Sequence, residues 1–234
     1  PEMTAPTFRT TRQMPAQMLG TDISGADNLS QALEIAGLDW TLLDEPADNL
    51  SVVTADGITN TSFPGHRLLM RSDDTTTLGV VGGRYEAVDN AAAFGVADAA
   101  KSLGATFAHA GEIDGGRKTF LTMEVPEATC NVGGYDLVKF GVTLRTSHDG
   151  SGAITGSADG TRLVCTNGMR TSLEAGRSWA IRHTRSADTR MEEAHELIQN
   201  AMIFAKEFTA HASALIEQKM TTNDFDQMLD VLLP

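Results

Sequence analysis

His148 and Asp149 are neighbours in the chain, the pairing of residue types that general acid–base catalysis uses. They sit in Ser147-His148-Asp149-Gly150-Ser151-Gly152, an expected loop of the kind on which functional groups concentrate. The same residues support a plainer use, since Asp-Gly is a strong hairpin-turn dipeptide and the flanking segments alternate as strands do. The turn is the reading favoured here. Cys165 has the chemistry of a nucleophile that His183 would orient, yet a cysteine following Arg162-Leu163-Val164 is more often a buried core thiol. The histidines His66, His109, His148, His183, His195 and His211 are scattered, and neither Cys130 nor Cys165 belongs to a C-x-x-C or C-x-x-H pair, so no metal site is expected. Gly79 to Gly83, GVVGG, lacks the Lys-Ser/Thr of a phosphate loop, and no dinucleotide fingerprint is present. No catalytic residue and no cofactor is therefore assigned.

Charge is the stronger signal. The 234 residues carry 18 Lys+Arg against 31 Asp+Glu, a net charge of -13, which argues against a chain that coats nucleic acid through its total charge. Residues 1–138 hold 8 basic and 19 acidic side chains, and the last 44 hold 2 and 8. Between them, residues 139–190 hold 8 basic and 4 acidic side chains, a local excess of +4. The cations are Lys139, Arg145, Arg162, Arg170, Arg177, Arg182, Arg185 and Arg190. Seven are arginine, whose planar fork suits phosphate and stacks on bases, so these eight are the candidate nucleic-acid-binding residues. The competing use for any one of them is an ion pair with the surplus carboxylates. At 6% aromatic the chain is poor in rings for base stacking. Only Tyr85, Phe140 and Trp179 lie near the glycine-rich and basic segments.

These side chains must be positioned by a mixed α+β fold. An arm is expected over 1–27, an antiparallel α+β core over 28–187 and a helical segment over 188–234. Leu29 to Ala36 reads as a helix capped by Asn28 or Asp27 and stopped by Gly37. Trp40 to Leu43 and Ser51 to Thr54 read as strands separated by a turn at Asp44-Glu45-Pro46. His66 to Arg71 and Leu78 to Val81 are further strands, the second entering a tight hairpin at Gly82-Gly83. Asn90 is expected to cap a helix from Ala91 to Leu103, ended by Gly104. Ala105 to Ile113 and Arg117 to Val125 form a hairpin, and Tyr135 to Thr146 pairs with Ala153 to Ala158 and Arg162 to Cys165. Met169 to Glu174 is expected as a short helix before a strand from Trp179 to His183. From Asp188 the apolar residues Met191, Ala194, Ile198, Ala201, Ala205, Phe208, Ala212 and Leu215 recur at steps of three and four, the spacing of a coiled-coil seam. A further amphipathic helix restarts at Thr222-Asn223-Asp224, with Phe225, Met228, Leu229 and Leu232 on one face. No apolar run approaches the ~20 residues of a spanning helix. Two cysteines in 234 residues fit a reducing compartment, so a cytoplasmic protein, of a bacterial host, is expected.

Four segments together resemble a phage- and plasmid-encoded family of uncharacterised proteins, the domain of unknown function 932. They are HRLLMRSDDTTTLGVVGGRYEAVDNAAAF (66–94), GGRKTFLTMEV (115–125), SHDGSGAITGSADGTRLVCTNGM (147–169) and IRHT (181–184). The resemblance implies a mobile-element origin and brings no established reaction. The order of elements is also similar to the plan of phage single-strand annealing proteins: a curved antiparallel sheet, a helix across it, a basic groove and a long C-terminal helix. On that analogy the chain is expected to be a DNA-recombination protein that binds single-stranded DNA and forms a homo-oligomer. The alternatives are a nucleotide- or nucleic-acid-processing enzyme, with His148, Asp149, Cys165 and His183 in one pocket, and an acidic interaction protein that inhibits a host factor.

Overall fold

The computed structural model describes residues 20–48, 50–132, 136–163, 170–180, 187–218 and, within 221–229, residues 221, 222, 224, 225, 227 and 229. For 52–54, 130, 132, 136, 158–163, 170–180 and 187–191 the description is of backbone alone. The chain is mixed α+β, with antiparallel strands in three sheets and a long C-terminal helix.

The first helix follows from its caps. Asn28 accepts the Gln31 N–H at 3.0 Å and Gly37 takes the left-handed conformation at φ 66°, so α1 spans Leu29–Ala36 as its sequence requires. Just before it, β1 (Thr21–Asp22) pairs with the later strand β7 (Thr106–Ile113), and Ile23 is fully buried. At the end of the expected arm, Thr21 and Asp22 thus form a strand of the main sheet and Ile23 and Ala26 are buried, while residues 1–19 lie outside the described residues.

β7 and β8 (Lys118–Glu124) form the expected hairpin, closed by Asp114 at φ 55° with Gly115 and Gly116. β10 (Asp136–Ser147) runs beside β8, followed by β11 (Thr155–Leu163) and β12 (Arg170–Ala180), and β9 (Cys130–Val132) also pairs with β10. Their order in the main sheet is β1-β7-β8-β10-β11-β12. The expected helix at Met169 to Glu174 is thus a strand from Arg170 on. Eight of its eleven residues pair with β11, and the hydrogen-bond ladder outweighs the weak local preference of Thr171-Ser172-Leu173. The two expected pieces Ala153–Ala158 and Arg162–Cys165 are likewise one strand with an irregularity between Ser157 and Asp159.

β10 turns its even-numbered apolar residues to one side. Val138, Phe140, Val142 and Leu144 are at most 1% exposed and face the core. Across them lies α4 (Ala187–Glu217), against β9, β10, β11 and α3 (Val96–Ser102). Phe140 meets Phe204 and Phe208 of α4 at ring separations of 5.3 and 5.5 Å. Ala194, Ile198, Ala201 and Ala205 are buried in this contact, while Leu215 is 69% exposed. The first half of the three-four seam therefore seals the chain's own sheet. Beyond α4, Thr221 and Asp224 exchange backbone-to-side-chain hydrogen bonds, a helix restart, with Phe225 46% exposed; Met228 and Leu232 lie outside the described residues.

The second sheet holds β2 (Leu42–Pro46), β5 (His66–Arg71) and β6 (Thr77–Gly82) in the order β2-β5-β6. Asp44 to Pro46 form part of β2 and not a turn, because each pairs with β5. No strand follows Gly82-Gly83; residues 84–88 run without regular structure, and the hairpin is the β5–β6 turn at 72–76. The helix expected at Ala91 to Leu103 is broken into α2 (Asn90–Ala93) and α3, with Phe94 and Gly95 between them. Finally, β3 (Leu50–Thr54) and β4 (Gly57–Thr61) make a two-stranded sheet of their own.

Candidate functional site

The basic stretch resolves into adjacent strands. Lys139 and Arg145 lie on β10, Arg162 on β11, Arg170 and Arg177 on β12 and Arg190 at the start of α4, whereas Arg182 and Arg185 lie outside the described residues. Strand register then divides them. Lys139 and Arg145 share the face of β10 away from α4, because both are odd-numbered neighbours of the core-facing Val138 and Leu144. In the backbone register Arg162 pairs with Val138 of β10, and Arg170 with Leu163 of β11. Both described cations have protein partners: Lys139 Nζ lies 3.0 Å from Glu124 Oε2, and Arg145 donates to Ser157 Oγ at 2.7 Å. Their side chains remain exposed, while Thr143 between them is fully buried. Phe140, 1% exposed, is spent in the core and not on a base.

His148 occupies a different place. It is 1% exposed, at the seam between the two larger sheets. The Asn90 amide donates to the Leu38 carbonyl at 3.0 Å, which turns its oxygen toward Thr119 Oγ1 (2.8 Å) and His148 Nε2 (2.9 Å). Nε2 accordingly carries a proton. The edge of the ring meets Trp40 at 5.2 Å. Desolvation pulls the pKa down from 6.5 to about 4, outweighing the carboxylates of Asp89 and Asp149 and the backbone of Val88, which favour the imidazolium.

The motif segments converge on this ring. Tyr85 donates to the Ser147 carbonyl at 2.9 Å, and its hydroxyl pKa is raised by burial and by Asp149. Gly79 of β6 meets the 148–150 loop so closely that a Cβ there would stand 3.0 Å from Asp149 Cα. Asp149 accepts the Ser151 N–H at 2.9 Å and Gly150 adopts φ 77°, so the pair makes the bend between β10 and β11. Beside them Arg71 stacks over Trp40 at 4.8 Å and binds Glu112 (2.8 Å) and Asp73 (2.6 Å). Burial raises the Glu112 pKa in spite of Arg71. A general base must reach a substrate proton, and the sealed His148 ring reaches none in this arrangement. Cys165 and His183 lie outside the described residues. Among the described residues no group of three His, Cys, Asp or Glu could hold a metal ion, and no helix is long and apolar enough to cross a membrane.

Trp40, Arg71, Asn90 and Glu112 are the residues that sequence reasoning missed here. Asn90 looks like a helix cap by type and position, and only its Leu38, Thr119 and His148 partners show otherwise.

Residues 77–234, more than half of the chain, match the family model described as Domain of unknown function (DUF932). The chain belongs to the DUF932 family. The DUF932 match begins at β6 and includes Tyr85, Asn90, His148 and the strands β7 to β12, while Trp40 and Arg71 precede it and pack against it. No curated protein and no solved structure matches the chain.

Proposed function

We propose that this chain is a DNA-recombination protein of a mobile element, one that binds single-stranded DNA and self-associates, with β10, β11 and β12 as its DNA platform. The observation that carries this reading is that the one basic stretch of an acidic chain becomes three adjacent long strands of a single sheet. Extended antiparallel strands present cations at regular intervals to a flexible phosphate backbone, and no base-specific contact is needed. Lys139 and Arg145 would bind phosphate through exposed side chains, with DNA replacing Glu124 as the partner of Lys139. The enzyme alternative would route chemistry through His148, which is sealed in the core.

The test is a binding measurement with single- and double-stranded DNA across a salt series. Lys139→Ala and Arg145→Ala should each lower the salt slope by about one and weaken binding alike for all sequences. Wild-type protein that fails to bind DNA at low salt would overturn the reading.

A further inference from the structure

The face of the main sheet opposite α4 carries a polar row across four strands. His109 of β7, Thr122 of β8, Thr143 of β10 and Ser157 of β11 are paired in register, so their side chains share that face. Phe120, paired with Gly111 and Arg145, lies on the same face two residues along β8. Phe120 is 3%, Thr122 2%, Thr143 0% and Ser157 5% exposed. The described helices do not bury them. α1, α3 and α4 all contribute to the apolar cluster of Val138, Phe140, Val142 and Leu144 on the other side, and Phe120 belongs to neither apolar cluster of the described residues. Thr143 Oγ1 is buried and has no hydrogen-bond partner among the described residues, a condition that folded proteins rarely leave unsatisfied. Something further covers this face.

Chain geometry selects residues 1–19 as the cover. The described chain enters at Gly20, directly beside Phe120: a Cβ on Gly20 would stand 3.0 Å from Phe120 Cζ, and one on Gly111 would stand 2.9 Å from Gly20 Cα. Glycine at both positions lets the entering chain, β7 and the ring come together. The other stretches outside the description have their ends elsewhere. Residues 164–169 join Leu163 to Arg170 at the Val138 end of the sheet, residues 181–186 lead from β12 to α4 on the opposite side, and residues after 217 follow α4. Nineteen extended residues span about 60 Å, against about 15 Å for the three strand spacings from Gly20 to Thr143. Met3, Phe8, Met14 and Met18 supply apolar groups for the Phe120 side, and Pro6 and Pro15 favour extended backbone whose carbonyls can accept from Thr143. We infer that residues 1–19 lie across this face, over Phe120 and Thr143, and close the ground between Lys139 and Arg145 to DNA until DNA displaces them. The closing rests on the DNA platform proposed above; the contact between the arm and the sheet does not. Arg9 and Arg12 face a surface that already bears Lys139 and Arg145, so apolar and backbone contacts hold the arm and a polyanion removes it.

Trypsin digestion of the full chain tests the contact, because Arg9 and Arg12 are cleavage sites within the arm. Cleavage after them should be about ten-fold or more slower than in a synthetic peptide of residues 1–19. Phe8→Ser with Met14→Ser should bring the rate to that of the peptide, and thermal melts should show that the rest of the chain stays folded. The same variant should bind single-stranded DNA about ten-fold more tightly than wild type. Wild-type cleavage at the rate of the peptide, or equal rates in wild type and variant, would overturn the contact. Equal or weaker DNA binding by the variant, where both forms bind, would overturn the closing. If the arm is protected and neither form binds DNA at low salt, the platform fails while the contact stands, so the two proposals are told apart.

Discussion

Replacing His148 with glutamine should remove an acid-sensitive part of the protein's stability worth about 3 kcal/mol. The folded ring is 1% exposed, and burial lowers its pKa from 6.5 to about 4. An unfolded chain takes up a proton between those values and the folded chain does not. This contribution is therefore complete above pH 6.5 and is lost as the pH falls from 6.5 through about 4. At 1.36 kcal/mol for each pH unit the displacement amounts to about 3 kcal/mol. The assay is urea unfolding of wild type and His148→Gln over that range, reading the difference between the two free energies at each pH. Asp73 and Asp149, both held below their ordinary pKa by hydrogen bonds and nearby cations, titrate in both proteins and cancel to first order. At neutral pH the variant should already be weaker by about 1–3 kcal/mol, since the buried Nε2–H bond to Asn90 and the ring contact with Trp40 are lost. The advantage of wild type should then shrink on acidification. Parallel stability curves across the window would refute the argument, because they would mean that His148 titrates as an exposed histidine does.

Two further substitutions probe the joints around that ring. Arg71→Met should cost about 3–5 kcal/mol by leaving Glu112, whose side chain is 6% exposed, as an unpaired buried charge; Arg71→Met combined with Glu112→Gln should recover much of the loss in denaturant titrations. Gly141→Ala should cost about 3 kcal/mol or more, because its Cβ would stand 2.1 Å from the Met123 carbonyl oxygen of the neighbouring strand. Gly82→Ala, which meets nothing within 4 Å, should be neutral or raise the melting temperature slightly.

What was legible in the residues alone was whatever depends on near neighbours in the chain. The caps of α1, the turn of the β7–β8 hairpin, the strand His66–Arg71 and the long α4 all follow from local signals: Asn28 and Gly37, Asp114-Gly115-Gly116, alternation, and the three-four spacing. The family resemblance was legible too, since its motifs are contiguous runs. Tertiary structure decided the rest, because the partners are far apart in sequence. Asn90 and His148 are 58 residues apart and Arg71 and Glu112 are 41 apart, so no local pattern distinguishes a helix cap from a buried hydrogen-bond hub. The same holds for Arg170–Glu174, which becomes a strand only because β11 offers a ladder. It holds for the basic stretch as well: composition collected eight cations, but strand register, with its period of two, assigned Lys139 and Arg145 to one face of β10, away from the core-facing Val138 and Leu144.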